Sequence, residues 1–90
     1  MPYKLTLTQA ERKAIDWVGG RYRHGNELYS LLWGNSVVAP DDAEWDDPRD
    51  MVFTVPEHVA WTISGIINEG LDCFTPELQH KLYEFQGSIV

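Results

Sequence analysis

The sequence concentrates chemically active side chains in one ten-residue stretch, DDAEWDDPRD at residues 41–50. Carboxylates arranged in a loop are the ligands that calcium prefers, so metal binding is the first chemistry to consider. An EF-hand loop beginning at Asp42 requires glycine at its sixth position and a bidentate glutamate at its twelfth, but Asp47 and Phe53 stand there. The sequence therefore predicts no metal site in this stretch.

The same stretch, called the acidic loop below, suits a second role, which is to present negative charge to another protein. Its carboxylates could occupy the lysine and arginine sites that a partner normally offers to nucleic-acid phosphates. Trp45 would then provide a desolvated anchor inside the charged rim. The carboxylates are Asp41, Asp42, Glu44, Asp46, Asp47 and Asp50. The alternative interpretation is a solvated loop that maintains solubility, with Trp45 folded back onto the core.

A second cluster, RYRH at residues 21–24, combines two arginines with a tyrosine and a histidine. Arg21 and Arg23 could bind a phosphate through bidentate hydrogen bonds, and Tyr22 could stack on a base. Together with His24 and an adjoining helix N-terminus, the cluster would hold an anionic nucleotide, and an oligomer would bring several copies together. The alternative is a helix C-terminus whose cations complement the helix dipole.

The remaining reactive side chains do not form a catalytic motif. Cys73 precedes a helix start, but His80 lies about two turns along that helix, too far for a local dyad. Glu77 and His80 make one half of a carboxylate-bridged metal motif whose second half the chain lacks. Phosphate-loop, dinucleotide-binding and nucleophile-elbow patterns are missing from the sequence. We therefore expect a protein that is not an enzyme and that uses no metal or cofactor.

Composition narrows the class of partner. Ninety residues predict a single domain over 1–90, and a net charge of −7 disfavours direct contact with nucleic acid. A basic host protein or complex fits that charge better, and the aromatic content of 12 % would suit a homo-oligomeric or partner interface. We expect a cytoplasmic protein without membrane contact. The sequence has one cysteine, no apolar leader and no apolar run long enough to span a bilayer.

Helices should position both clusters. A capping box between Thr8 and Glu11 starts the first helix, which we extend through Gly19 and Gly20 to about Arg23. The two glycines leave another interpretation open, because they could end the helix or let a second backbone approach closely.

Three further helices follow from local signals. Asn26 would cap a short second helix, ELYSLLW, which Gly34 ends. Pro56 opens a third helix that stops near Gly70, and Thr75 caps a fourth. Along these helices the apolar residues recur at helical spacing, as expected for faces that meet a common core.

Two β-favouring runs, SVVA at 36–39 and MVFTV at 51–55, flank the acidic loop and predict a hairpin. The expected fold is mainly α, with about four helices and a small two-stranded β element, and α+β as the variant. Trp61 falls off the apolar stripe of the third helix, so it should meet the acidic loop or a partner. We expect burial by the loop, with partner binding as the alternative.

Three longer segments, LTLTQAERKAIDWVGGRYRHGNELYSLLW, EWDDPRDMVFTVPEHVAW and CFTPELQHKL, precede a final GSIV. In these segments the chain resembles small acidic accessory proteins of tailed bacteriophages. The resemblance implies a non-enzymatic factor that acts on host machinery in the bacterial cytoplasm. Such factors include inhibitors of restriction and CRISPR defences, and proteins that sequester nucleotide signals of host immunity.

The sequence thus supports two main hypotheses, and a third possibility is a phage regulatory or structural component that uses its aromatic surplus for assembly. In the first, the acidic loop, with Trp45 and Trp61 as aromatic anchors, binds and inhibits or modulates a nucleic-acid-directed host complex. In the second, an oligomer acts as a sponge that sequesters an anionic nucleotide through residues 21–24.

Overall fold

The computed structural model of the protein describes residues 3–89, which form a three-stranded antiparallel sheet and four helices. The strands are β1 (Tyr3–Leu7), β2 (Val37–Ala39) and β3 (Met51–Val55). The helices are α1 (Gln9–Gly19), α2 (Arg23–Trp33), α3 (Glu57–Glu69) and α4 (Pro76–Ile89). Helices are prominent, as predicted, but the fold is α+β with three strands, so the expectation of a mainly α fold with two strands is corrected.

The central strand of the sheet is β3, which pairs with β1 on one side and with β2 on the other. Leu5 and Val38 both lie opposite Phe53, so the three side chains form one row across the core face of the sheet. The hairpin between β2 and β3 is confirmed. Strand β1 was not predicted, although Leu5 and Leu7 alternate with the exposed Lys4 and Thr6 as a half-buried strand requires.

The start of α1 is the predicted one. Thr8 Oγ1 accepts a hydrogen bond from the Glu11 N–H, and Glu11 Oε1 accepts one from the Thr8 N–H at 2.8 Å. Lys81 of α4 donates to the same carboxylate at 2.7 Å. Partial burial opposes ionisation of Glu11, but hydrogen bonds from Lys81 and Thr8 outweigh it and lower the Glu11 pKa. The capping box therefore also joins α1 to α4.

The boundary between α1 and α2 differs from the prediction. The first helix ends at Gly19 and not near Arg23, and the second begins at Arg23 with Tyr22, not Asn26, at its N-cap position. The cause is a close approach of two backbones, because a Cβ atom on Gly25 would stand 2.3 Å from the Gly19 nitrogen. The chain reverses direction there, and the backbones at Gly19 and Gly25 come into van der Waals contact. Position 25 must be glycine, because any side chain would overlap the Gly19 backbone.

The other helix ends follow the local signals. Gly34 ends α2, and Gly70 ends α3 with a φ of 116°, a left-handed conformation that glycine adopts without strain. Pro56 immediately precedes α3, and Thr75 Oγ1 accepts a hydrogen bond from the Leu78 N–H at 3.4 Å. The described helices include none with the length and apolar character needed to cross a membrane.

The packing of α2 on α1 yields a stability prediction. Replacing Gly25→Ala should lower the free energy of unfolding by at least about 2 kcal/mol, because the new methyl group would overlap the Gly19 backbone. Urea denaturation measures the change.

Gly65→Ala is the matched control. Gly65 is an exposed position inside α3 where an added Cβ meets nothing within 4 Å. That substitution should raise the free energy of unfolding by about 0.5–1 kcal/mol through helix propensity. Equal effects of the two substitutions would contradict the close approach of α1 and α2.

Candidate partner-binding site

The acidic loop joins β2 to β3 and has a defined course. Two turns shape it, one closed by the Ala43 N–H on the Pro40 carbonyl at 3.2 Å and one by the Asp47 N–H on the Glu44 carbonyl at 3.1 Å. Between the turns its side chains alternate, since Ala43 and Trp45 are buried while Glu44 is exposed. The loop therefore has an inner apolar face and an outer charged face.

Arg12 of α1 lies beneath the loop and is 1 % exposed. Its Nη1 donates to the Trp45 carbonyl at 2.6 Å, and its Nη2 donates to the Arg49 carbonyl. Within residues 3–89 its Nε finds no hydrogen-bond acceptor. A buried cation is costly unless hydrogen-bonded to good acceptors, and hydrogen bonds to a charged group are each worth about 1.5–3 kcal/mol. The guanidinium thus fastens the middle and the end of the loop to α1.

Two further α1 side chains reinforce this attachment. Gln9 Nε2 donates to the Asp46 carbonyl at 3.0 Å, and Asp16 Oδ1 accepts from Trp45 Nε1 at 2.8 Å. Because residues three and four apart share one side of a helix, Gln9, Arg12 and Asp16 form a single contact row. This row was not predicted from the sequence. Its signal was Arg12 itself, a charged residue three positions before the buried Ile15 on the apolar stripe.

Trp45 lies inside the core, as expected in the alternative interpretation in which the loop is solvated and Trp45 folds back onto the core. The residue is 9 % exposed and meets three rings edge-on or tilted: Tyr29 at 4.7 Å, Trp33 at 5.8 Å and Phe53 at 5.9 Å between centroids. Such aromatic pairs each contribute about 0.5–1.5 kcal/mol beyond the area that they bury. Trp45 anchors the loop to its own protein, and its ring is not on the surface that a partner would meet.

Five of the six carboxylates of the loop point to solvent. They are Asp41, Asp42, Glu44, Asp46 and Asp50. The sixth, Asp47, is paired with Arg49 through two hydrogen bonds of 2.9 Å and a third, of 2.8 Å, from the Arg49 backbone N–H. These bonds, helped by the charges of Arg49 and Arg12, lower the Asp47 pKa to about 2. Arg49 also reaches Asp42 at 3.3 Å, so it partly offsets the charge at that corner.

The geometry of the loop suits charge presentation. In the described part of the chain, no three His, Cys, Asp or Glu side chains converge as metal ligands would. The carboxylates instead spread over the outer face of a fixed segment. Fixed charges of one sign attract an oppositely charged surface and orient it during encounter.

The RYRH cluster is occupied by contacts of its own. Arg21 lies 4.1 Å above the Trp17 ring, and Arg23 pairs with Glu27 at 2.7 Å. His24 lies 3.9 Å from carboxylates on both sides, those of Glu27 and Glu69. The cleft beside Tyr22 is lined by Glu69, Gly70, Asp72 and Cys73. These acidic neighbours do not favour an anionic ligand, so the sponge hypothesis gains no support from the geometry.

Trp61 stands on the surface of α3 and is 53 % exposed. The expectation that the acidic loop would bury it is wrong, and its position off the apolar stripe of the helix is confirmed. Exposed tryptophans are frequent anchors in protein interfaces, so Trp61 stays a candidate contact for a partner.

The anchoring role of Arg12 leads to a prediction. Arg12→Met should lower the free energy of unfolding by about 3 kcal/mol, because it leaves the Trp45 and Arg49 carbonyls without their buried donor. The near-ultraviolet circular dichroism of the Trp45 cluster should weaken as the loop loosens. Lys13→Met, an exposed neighbour on the same helix, is the control and should change stability by less than about 0.5 kcal/mol.

The Asp47–Arg49 pair predicts a dependence on pH. Because the folded-state pKa of Asp47 falls from 3.8 to about 2, ionised Asp47 stabilises the fold above pH 3.8, and this contribution disappears as the pH falls toward 2. The difference in unfolding free energy between wild type and Asp47→Asn should therefore be constant near neutral pH and shrink between pH 4 and pH 2.

Urea titrations at several pH values measure that difference. In an Arg49→Gln background the same Asp47→Asn substitution should show a smaller pH dependence, since the Arg49 side chain provides two of the three hydrogen bonds and the backbone N–H retains the third. Undiminished dependence in that background would assign the low pKa to another group.

Comparisons of the chain with protein-family models, curated proteins and solved structures gave no match. The resemblance to phage accessory proteins therefore stays a prediction.

Proposed function

We propose that the chain is a non-enzymatic binding protein whose acidic loop engages a basic surface on a protein partner. One observation carries the proposal: five exposed carboxylates lie on a segment that Arg12, Trp45 and Asp16 hold in place. A loop that served only solubility would need the charge but not this attachment. The fixed arrangement supports recognition of a particular surface.

Pre-arrangement matters for the energy of binding. Ordering a flexible loop at an interface costs about 0.5–1.5 kcal/mol for each immobilised side chain. Folding already orders the backbone of the acidic loop by fastening it to α1, so a partner would have to order only the exposed side chains. Its charges would raise the association rate with a basic partner, and salt would weaken this effect by screening.

The exposed negative charges of the loop support a more specific partner, a protein that normally binds nucleic acid. Lysine and arginine sites that receive phosphates would also receive carboxylates on a rigid loop. We therefore propose that the chain inhibits or modulates a nucleic-acid-directed host complex by occupying its phosphate-binding surface. The resemblance to phage accessory proteins is consistent with an anti-restriction or anti-CRISPR role in the bacterial cytoplasm. Trp61 is a candidate second contact.

The test exchanges the five exposed carboxylates for amides and leaves Asp47 in place, because Asp47 supports the loop through Arg49. The variant carries Asp41→Asn, Asp42→Asn, Glu44→Gln, Asp46→Asn and Asp50→Asn. Affinity pull-downs from host lysate followed by mass spectrometry should recover a nucleic-acid-binding partner with wild type. With the variant, recovery of that partner should fall at least about tenfold, as expected when several ion pairs of a few tenths of a kcal/mol each are lost.

A matched control removes five exposed carboxylates elsewhere. It exchanges Glu57, Glu69, Asp72, Glu77 and Glu84 for glutamine or asparagine, so both variants lose five negative charges. Recovery should be close to wild type with this control, and excess DNA should displace the partner from the wild-type protein. Equal loss with both variants would show attraction by net charge alone and would contradict a role for the acidic loop.

A further inference from the structure

The outer edge of β2 is open. In the sheet order β1-β3-β2, β2 pairs with β3 on one side, and within residues 3–89 no strand pairs with its other side. An edge strand leaves backbone N–H and C=O groups in position to receive another extended chain. The edge consists of Val37, Val38 and Ala39, so no charged side chain opposes such an addition. Val37 is 69 % exposed.

The opposite edge of the sheet is different. The exposed Lys4 lies on β1, and the cleft along this strand is also lined by Lys81, Glu84 and Phe85 of α4. A helix and its charged side chains thus flank β1, which is a usual protection for an edge. An additional strand would therefore be accommodated better at β2.

Both ends of β2 are held. Asn35 Nδ2 donates to the Ser30 carbonyl at 2.9 Å, and Ser36 Oγ donates to the Leu31 carbonyl at 3.0 Å, which ties the entry of the strand to the end of α2. At its exit the first turn of the acidic loop begins at Pro40. The open edge is therefore a fixed template, and an added strand would not have to order it.

The negative charges beside β2 indicate which kind of chain would bind at its open edge. Asp41 and Asp42 follow β2 within three residues of Ala39, and the Asp42 side chain is 74 % exposed. At about 3.3 Å per residue, a strand laid along β2 would bring its flanking side chains to these carboxylates. We propose that β2 accepts an extended, lysine- or arginine-rich peptide segment as a fourth strand of the sheet. This inference rests on the proposed function and specifies the form in which the basic partner binds.

A second copy of the chain fits the edge less well. In an antiparallel pairing of two β2 strands, the carboxylates of one copy would face the neutral segment 34–36 of the other, and in a parallel pairing they would face one another. Neither arrangement supplies a cation. Of the two occupants, only the basic peptide would both hydrogen-bond to the open backbone groups of β2 and place cations beside the neighbouring carboxylates.

The experiment titrates the isotopically labelled full chain with an eight-residue peptide of alternating lysine and threonine, followed by nuclear magnetic resonance. The first comparison is the same peptide with every backbone nitrogen methylated, which keeps the charge and removes the hydrogen-bond donors. We expect chemical-shift changes at residues 37–39 and 41–50, slower amide exchange in β2, and at least tenfold weaker binding of the methylated peptide.

Two substitutions at the exposed Val37 complete the test. Val37→Lys should weaken binding of the unmethylated peptide several-fold by repulsion, whereas Val37→Thr should bind it as wild type does. Both variants should fold, because Val37 is mostly in solvent.

The outcomes separate strand addition from the proposed function. Equal binding of both peptides, with changes confined to residues 41–50, would overturn strand addition and leave charge recognition by the acidic loop intact. No binding of either peptide at low salt would overturn both. Protection, without peptide, of the β2 amides that face away from β3, together with a dimer in sedimentation, would make a second copy the occupant and would also overturn the proposal.

Discussion

The hydrogen bonds of the buried Arg12 guanidinium determine where the acidic loop lies. Removing a cation from water costs several kcal/mol, and this cost is offset only where good acceptors surround it. The acceptors here are the Trp45 and Arg49 carbonyls, which lie 33 and 37 residues further along the chain. A shift of the loop would leave the cation unpaired in the core, so the position of α1 and the course of residues 45–49 are set together.

This constraint explains why so many acids surround one tryptophan. The ring of Trp45 and the methyl group of Ala43 face inward, and the carboxylates between and beside them face outward. The segment therefore resembles a half-buried strand in its alternation, although it forms no ladder. The apolar residues bind the loop to the core, and the acids are held at fixed positions by the same backbone. The arrangement of the acidic surface and the stability of the loop thus depend on the same contacts.

Local signals in the sequence were reliable where the cause was local. The capping box at Thr8, the end of α3 at Gly70 and the Thr75 cap each involve neighbouring residues, and each was predicted correctly. The boundary between α1 and α2 was not, because it depends on Gly25 packing against Gly19 across a chain reversal.

The candidate site was predictable only in part. Composition identified the acidic loop, but the sequence left Trp45 open between partner anchor and core residue. The role of Arg12 was missed, because its acceptors are backbone carbonyls that carry no residue-type signature. The β1 strand was missed although its signal is local: Leu5 and Leu7 alternate with Lys4 and Thr6 over a segment as long as the MVFTV run that was predicted.

The central claim is that the acidic loop is ordered before any partner binds. Backbone ¹⁵N relaxation of the free protein tests it most directly. Order parameters of about 0.85 are expected for residues 42–49, equal to those of β3, because the loop backbone is rigid. Values below about 0.6 through the loop, with β3 rigid, would contradict it, because the carboxylates would then sample many arrangements and present no fixed surface.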